Sequence, residues 1–314
     1  MNPTPSRVGA LDALLLLMTI IWGSNFTVIK SAVRELDPQA FNGVRMIVAS
    51  LAFLAVMGAA RLFSPSTTNT TFSSPARVTA VEWLQLFLLG VVGHVLYQFC
   101  FIGGLARTSV ANGSLMLAIT PVLIAGISAA LGYERIGRSH WIGAAVSIAG
   151  IYLVVGRGFA LGGQGLRGDL LMFGAACCWA IYTLGARPLM ERHSPVAVTG
   201  LSMALGTLVY VPVVWPRLRA VDWSSVSAWS LGLTIYSALF ALCVAYTIWY
   251  VAVRRIGSAR TSAYSNLIPV VAMATAVLFL GEPIEVRKAI GAAAVLAGVA
   301  VTRAGSRADM PAEE

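Results

Sequence analysis

The stretch ALDALLLLMTIIWGSNFTVIK, residues 10–30, decides the fold class, because its first twelve residues are apolar apart from Asp12 and Thr19. At about 1.5 Å of rise per residue, a helix of this length crosses the hydrocarbon core of a bilayer, which is about 30 Å thick. The second half nevertheless carries Gly23, Ser24 and Asn25, and it ends at Lys30. Polar groups inside a membrane helix need partners other than lipid. The stretch therefore predicts a membrane helix with one polar face.

The rest of the chain repeats this apolar pattern. Hydrophobic residues make up 58% of the 314 residues and charged residues only 11%, too few charges for a soluble domain of this size. An open chain in lipid can satisfy its backbone groups only as a helix. We therefore predict an all-α integral membrane protein with ten transmembrane helices. The predicted spans are 10–29, 40–60, 84–103, 111–131, 140–156, 169–186, 196–215, 229–250, 261–280 and 288–304.

The two halves of the chain resemble each other. An offset of 157 aligns Asp12 with Asp169, Trp22 with Trp179 and Lys30 with Arg187, whereas an offset of 148 aligns Pro121 with Pro269 and Glu134 with Glu282. Between 104–154 and 252–302, thirteen of fifty-one positions are identical. The offset changes at the polar loop SPSTTNTTFSSP, residues 64–75. Because each copy has an odd number of helices, the two copies enter the membrane from opposite sides. We therefore predict two inverted five-helix repeats, 1–156 and 157–314.

The positions of charged residues bear on orientation and partners. With the N-terminus inside, twelve Lys and Arg residues lie on the inner side and nine on the outer side, which favours cytoplasmic termini and a cytoplasmic 64–75 loop. The net charge is +9, but the basic residues sit singly or in pairs at the ends of the spans. There they contact lipid head groups, so nucleic acid is not an expected partner. The first span is too long for a cleaved signal peptide and lacks its small-residue cleavage pattern.

Cysteine and histidine give no sign of a metal or catalytic site. Cys100, Cys177, Cys178 and Cys243 all lie inside apolar runs without metal-binding spacing, and we interpret them as small buried residues. The three histidines, at 94, 140 and 193, are far apart. The sequence also has no ATP-binding loop. We therefore expect no cofactor and no metal.

Several motifs together resemble the EamA-type members of the drug/metabolite transporter superfamily. They are WGSNF at 22–26, the Arg45 of FNGVRMIVAS, the two proline helices, and the glycine-rich endings GYERIGRSHWIGAAVSIAGI and GEPIEVRKAIGAAAVLAGV. The resemblance covers about 10–304. It implies a ten-helix carrier of the inner (plasma) membrane that exports amino acids or similar small metabolites. The second half departs from the pattern, with WAIYT at 179–183 in place of WGSNF.

The predicted substrate cavity uses residues that the repeat superposes and polar groups near the middle of the spans. Trp22 and Asn25 align with Trp179 and Tyr182, and an amide facing lipid would lack partners, so we expect these four to face each other. A membrane-embedded imidazole such as His94 needs hydrogen bonds and titrates near neutral pH, which suits a structural role or the handling of substrate or protons. Tyr97 and Gln98 follow it within one turn, and Asn266 precedes Pro269, where a helix frees carbonyls.

Structural roles compete with these assignments. Arg45 can reach the head groups, form an ion pair or bind a substrate anion. The acidic residues at 12, 169, 134 and 282 favour helix capping, and Lys30 and Arg187 favour helix ends. The aromatic stretch Tyr246, Trp249 and Tyr250 favours a belt at the membrane interface.

Export of a small polar metabolite by alternating access is the leading prediction, with lipid as the surroundings. Efflux of apolar drugs is the main alternative, although amide and imidazole groups suit polar cargo better. An intramembrane enzyme would need a nucleophile–base pair or a metal cluster, and a channel would need a continuous polar stripe. The Gly/Ala-rich helices let backbones pack closely, which suits a scaffold or a homodimer.

Overall fold

The computed structural model describes residues 9–63, 70–74, 76–132, 137–155, 164–283 and 285–308, and these contain no strand. Besides a short helix at Leu189–Arg192, ten helical segments follow the ten predicted runs in order. They are α1 (Ala10–Ala32), α2 (Pro38–Phe63), α3 (Ala80–Arg107), α4 (Val110–Ala130), α5 (Arg138–Val155), α6 (Gln164–Ala186), α7 (Pro195–Ala220), α8 (Ala228–Ile256), α9 (258–280) and α10 (Val286–Ala308).

Seven of these segments are long and apolar enough to cross a membrane, namely α1 to α4 and α6 to α8. The other three contain shorter apolar stretches at Trp141–Gly150, Tyr264–Leu280 and Ala289–Gly298. Membrane crossing is therefore supported for seven segments, and the total of ten stays a prediction. The predicted loop at 64–75 lies largely outside the described residues, as does Glu134.

Four helices contain an irregular turn, and the turns fall at corresponding places in the two halves. A π-helical stretch occupies Val91–Leu96 in α3 and Ser237–Val244 in α8. α4 is interrupted between Leu117 and Thr120, and α9 contains the 3-10 stretch Ala263–Leu267. Pro121 and Pro269 each follow such a break, where the missing proline N–H is tolerated at the start of the next helical piece.

Glycines bring two pairs of helices into backbone contact. A Cβ atom placed on Gly298 would lie 2.4 Å from the carbonyl oxygen of Gly143, and one on Gly150 would lie 2.7 Å from that of Gly291. α5 and α10 therefore run antiparallel with their backbones touching, as small residues permit in membranes. A Cβ on Gly206 of α7 would lie 2.6 Å from the carbonyl oxygen of Gly90 in α3.

Candidate functional site

A cavity lies at the centre of the molecule, where α1, α2, α3 and α4 meet α6, α8 and α9. Its wall combines aromatic rings, hydroxyl and amide groups and a single charged side chain. The irregular turns of α4, α8 and α9 all contribute to it. The lining residues are Trp22, Asn25, Phe26, Arg45, Tyr97, Gln98, Phe101, Ser114, Leu117, Ala118, Thr120, Trp179, Ala241, Leu242, Tyr246, Ser265 and Ile268.

Two tryptophans from corresponding positions of the two halves meet in this wall. The rings of Trp22 and Trp179 make an edge-to-face contact with centroids 5.5 Å apart, as expected from the sequence offset. Both also contact Tyr246 edge-to-face, at 5.8 Å and 5.0 Å. The indole N–H of Trp22 donates to the carbonyl oxygen of Ala241, 2.9 Å away in the π-helical stretch of α8. This arrangement fixes the rings from both halves in one cluster.

The interface belt predicted for Tyr246, Trp249 and Tyr250 is wrong. All three are buried, and Trp249 packs against Trp22 and Trp179 while Tyr250 packs edge-to-face on Tyr182. The spacing of these residues places them on the inward face of α8, and sequence alone does not distinguish this face from an interfacial one. Tyr246 lines the cavity, and Trp249 and Tyr250 extend the aromatic cluster beyond it.

Amide side chains provide much of the polar wall. The Ser237 hydroxyl donates to the Asn25 Oδ1 atom at 2.5 Å, so Asn25 both bridges α1 to α8 and faces the cavity. The Gln98 Nε2 donates to the Tyr246 hydroxyl at 3.4 Å, whereas the Gln98 Oε1 is buried without a hydrogen-bond partner among the described residues. An unfilled buried acceptor favours a ligand that donates a hydrogen bond.

His94 and Tyr182 do not line the cavity. They lie next to it, where the His94 Nε2 shares hydrogen bonds with the Tyr182 hydroxyl at 2.9 Å and the Ser202 hydroxyl at 3.4 Å. The Tyr182 hydroxyl also bonds to Ser202 at 2.9 Å. The His94 Nδ1 has no hydrogen-bond partner among the described residues. This network joins α3, α6 and α7, which fits a structural role, and the handling of substrate or protons stays a prediction.

Asn266 is buried but does not line the cavity, whereas its neighbour Ser265 does. Tyr97 lines the cavity and lies 5.2 Å from Trp179 between ring centroids. Of the predicted site residues, the structure thus brings Trp22, Asn25, Arg45, Tyr97, Gln98 and Trp179 together in one wall.

Arg45 does not snorkel to the membrane surface, because only 1% of it is exposed. Its Nη1 donates to the Asn42 Oδ1 at 3.0 Å, and its guanidinium carbon lies 5.3 Å from the centroid of the Phe41 ring. The Nε is buried without a hydrogen-bond partner, and among the described residues no carboxylate pairs with Arg45. The guanidinium is therefore the one charged group in the cavity lining.

Two of the predicted helix caps differ from expectation. α6 begins at Gln164, so Asp169 lies inside the helix, where it accepts a hydrogen bond from Thr108 at 2.9 Å instead of capping. Glu282 accepts from the backbone N–H of Val110 at 3.1 Å and so caps α4 instead of α10. Asp12 does cap α1, accepting from the Gly9 N–H at 3.0 Å, and Lys30 lies in the last turn of α1.

Several residues that line the cavity were not predicted from the sequence. Phe26 lies one turn beyond Trp22 on α1 and meets Phe101 of α3 edge-to-face at 5.5 Å, and the i, i+4 spacing from Trp22 was the available signal. Thr120, Ala241 and Leu242 reach the wall through the irregular turns, which no sequence pattern predicts. Within the part of the chain that the structure describes, no group of three or more His, Cys, Asp or Glu residues could hold a metal.

The family model described as "EamA-like transporter family" matches this chain twice, over residues 10–156 and over residues 166–304. The chain belongs to the EamA-like transporter family. It is therefore a multi-pass membrane transporter and not an enzyme, with a small molecule as substrate and lipid as surroundings.

Known proteins similar to this chain carry transporter names. The uncharacterized transporter YyaM of Bacillus subtilis is 27% identical, with 91% of each chain covered. A protein of Salmonella typhimurium named "Probable amino-acid metabolite efflux pump" is 26% identical over 94% of this chain and 95% of its own. A crystal structure of another protein superposes with a TM-score of 0.69 over 95% of this chain and 98% of that chain. At 17% identity, that likeness shows a shared fold alone.

Proposed function

We propose that this EamA-like transporter exports small polar metabolites, amino acids among them, across the plasma (inner) membrane by alternating access. The observation that carries the proposal is the central cavity, which joins aromatic rings to amide and hydroxyl groups at the meeting point of both halves. Trp22, Asn25, Tyr97, Gln98 and Trp179 bind the substrate directly. The names of the relatives from Salmonella typhimurium and Streptantibioticus cattleyicolor, an efflux pump and an exporter, agree with the direction.

The proposal includes two inverted repeats, residues 1–156 and 157–314. Several pairs of features support this arrangement. The offset of 148 exchanges the two backbone contacts of α5 with α10, because it maps Gly143 onto Gly291 and Gly150 onto Gly298. The same offset superposes the two π-helical stretches in large part and the breaks that precede Pro121 and Pro269. Inverted repeats give a carrier two related conformations, one open to each side.

Contacts between the halves at both ends of the bundle fit alternating access. At one end, the Glu35 carboxylate accepts from the N–H and the hydroxyl of Ser227, at 2.8 and 3.0 Å, where α8 begins. Those hydrogen bonds lower the pKa of Glu35. Beside it Arg217 pairs with Asp37 at 3.0 Å.

At the other end, the residue that the offset of 157 aligns with Glu35 is Arg192, and it pairs with Glu82 at the start of α3, 2.8 Å away. His193 lies 3.2 Å from the same carboxylate. Each end thus joins the loop before α2 or α7 to the first turn of α8 or α3, in the opposite half. Opening one end while the other stays closed requires only one of these sets of contacts to break.

Export by Asn25→Ala tests the site. In cells that overexpress the protein, we measure efflux and growth with a panel of amino acids, amino-acid analogues and apolar drugs. We expect the variant to change substrate preference or to raise KM about fivefold at normal membrane expression, because a cavity hydrogen bond contributes about 1 kcal/mol. Protection against apolar drugs alone would instead support the alternative of drug efflux.

Two matched controls separate cavity contact from helix bridging. Ser237→Ala removes the hydrogen bond to Asn25 but not the cavity-facing amide, and Ser24→Ala changes a neighbouring hydroxyl that bonds within α1. If Ser237→Ala reproduces the Asn25→Ala phenotype, Asn25 only bridges helices and the cavity assignment is wrong.

The export assay also tests the role of His94. If His94→Gln loses the pH dependence of transport between about pH 6 and 8, this result supports proton handling, whereas an unchanged pH profile leaves only the structural role.

The proposed orientation places both termini in the cytoplasm. Single cysteines at two exposed positions test it, Thr70→Cys in the loop between α2 and α3 and Ala220→Cys at the end of α7. We expect a membrane-impermeant maleimide added to intact cells to label Ala220→Cys, while Thr70→Cys reacts only after permeabilisation. The four native cysteines are half-buried and can be replaced with alanine for the assay. The reverse labelling pattern would show the opposite orientation.

A further inference from the structure

We propose that Arg45 is an anion subsite, and that this transporter recognises its substrate through a carboxylate. The inference rests on the proposed function and adds the substrate class to it. Arg45 lies on α2, and its guanidinium belongs to the wall of the central cavity. A guanidinium stays protonated in proteins, so the cavity carries a permanent positive charge.

The residues that the structure describes leave this charge unbalanced. The cavity wall that contains Arg45 also carries the hydroxyls of Tyr97 and Tyr246, and a tyrosine hydroxyl is not an anion at neutral pH. Within the described ranges no carboxylate forms an ion pair with Arg45, and the cavity lining contains no Asp or Glu. An unpaired buried ion costs several kcal/mol of desolvation. A substrate anion offsets that cost in the bound state.

The hydrogen bonding of Arg45 also supports an anion subsite. Its Nη1 donates to Asn42, and the Phe41 ring covers the guanidinium from 5.3 Å, which holds the plane of the group in place. The buried Nε has no acceptor among the described residues. A guanidinium whose Nε–H lacks an acceptor can donate that hydrogen to a carboxylate oxygen, in a charge-assisted hydrogen bond.

The number of charged side chains in the cavity lining favours a carboxylate over a phosphate as the group that Arg45 binds. Among the described residues, the lining offers one cation and no second basic side chain or set of metal ligands, which matches a single negative charge. The remaining polar groups, among them the amide of Gln98 with its unfilled Oε1, can accept a donor from the rest of the molecule. A carboxamide group in place of the carboxylate has no negative charge to offset that of Arg45, so the carboxamide of the same skeleton should bind poorly.

Matched ligands test the inference on the purified full-length protein in lipid nanodiscs. For the alanine, leucine, threonine and phenylalanine skeletons, we compare the amino acid, its carboxamide and the corresponding acid without the amino group, in buffer free of other carboxylates. Ligand-induced shifts of the thermal unfolding midpoint give the apparent affinity. We expect acids of at least one skeleton to stabilise the protein, the carboxamide not to, and inorganic phosphate not to.

Variants of Arg45 complete the experiment. In Arg45→Gln we expect the affinity for the stabilising acids to fall about 10- to 100-fold, the range for a hydrogen bond to a charged group, and in Arg45→Lys to fall less. Equal stabilisation by acid and carboxamide, stronger stabilisation by phosphate, or unchanged acid binding in Arg45→Gln would each overturn the inference. The comparison of acid and carboxamide in the parent protein needs no variant, so it holds even if Arg45→Gln does not fold.

Failure of this inference and failure of the proposed function give different results. If cells export carboxamides or amines while acids do not bind, the transport proposal stands and the anion subsite is wrong. If acids bind through Arg45 but cells export no member of the panel, the subsite stands and export is wrong.

Discussion

Replacing Gly206 with alanine should remove most of the folded protein from the membrane, although alanine is the better helix former. The new Cβ would lie 2.6 Å from the Gly90 carbonyl oxygen and 2.6 Å from the Cβ of His94, closer than such atoms approach in proteins. Neither neighbour is the end of a flexible side chain, so α3 and α7 must separate. Overpacking costs about 1–3 kcal/mol even where side chains can adjust.

Separation of α3 from α7 also breaks hydrogen bonds between them. Ser202 lies on α7 one turn before Gly206, and its hydroxyl bonds to His94 on α3 and to Tyr182 on α6. A shift of the helices leaves these buried groups without partners, which adds about 1–3 kcal/mol for each unsatisfied group. Together these costs are a large fraction of the free energy of unfolding of a marginally stable protein.

Gly58→Ala is the matched control, because Gly58 lies in α2 and a Cβ placed there meets nothing within 4 Å. In an exposed helix interior alanine is about 1 kcal/mol more favourable than glycine, so this variant should be neutral or slightly stabilised. Folded yield and the unfolding midpoint of detergent-solubilised protein measure both variants. Equal folded yields and equal unfolding midpoints for Gly206→Ala and Gly58→Ala would show that α3 and α7 can move apart at Gly206 without loss of stability.

The sequence predicts the order and approximate ends of the helices well, because membrane spans have the strongest periodic and compositional signal. The family match over two stretches agrees with the internal repeat at offsets 157 and 148. The π-helical stretches and the break in α4 were not predictable, because they depend on contacts between helices and not on local propensity.

The repeat alone does not predict the site, because Arg45, Tyr97 and Gln98 line the cavity and were predicted on other grounds. Trp22 and Trp179 align in sequence and meet in space. Tyr182 aligns with Asn25, yet it turns to His94 and Ser202 instead of the cavity. The two halves have different side chains at these positions, so the side chains make different contacts with the neighbouring helices. Asp169 shows the same limit: the repeat aligns it with the cap Asp12, but α6 starts five residues earlier and leaves it inside the helix.

The second large effect is expected for Trp179→Ala. Trp179 is 6% exposed, and its ring lies within 6.4 Å, between centroids, of six other aromatic rings that come from α1, α3, α6 and α8. Removing a buried aromatic side chain costs about 3–5 kcal/mol, because the surrounding rings cannot all collapse into the space. We therefore expect a lower unfolding midpoint and loss of export.

Trp229→Ala separates this effect from the general loss of an indole. Trp229 lies in the first turn of α8 and is 72% exposed, so its removal creates no cavity and should leave the midpoint and export close to those of the parent. Trp179→Phe keeps an aromatic ring against Trp22 and Tyr246 but removes part of the cavity wall. It should fold with a smaller cost than alanine and change which substrates are exported, since the wall shape then differs while the cluster persists. A midpoint for Trp179→Ala no lower than that of Trp229→Ala would contradict the aromatic cluster as the support of the cavity. Unchanged substrate preference in Trp179→Phe would mean that the substrate does not touch this ring.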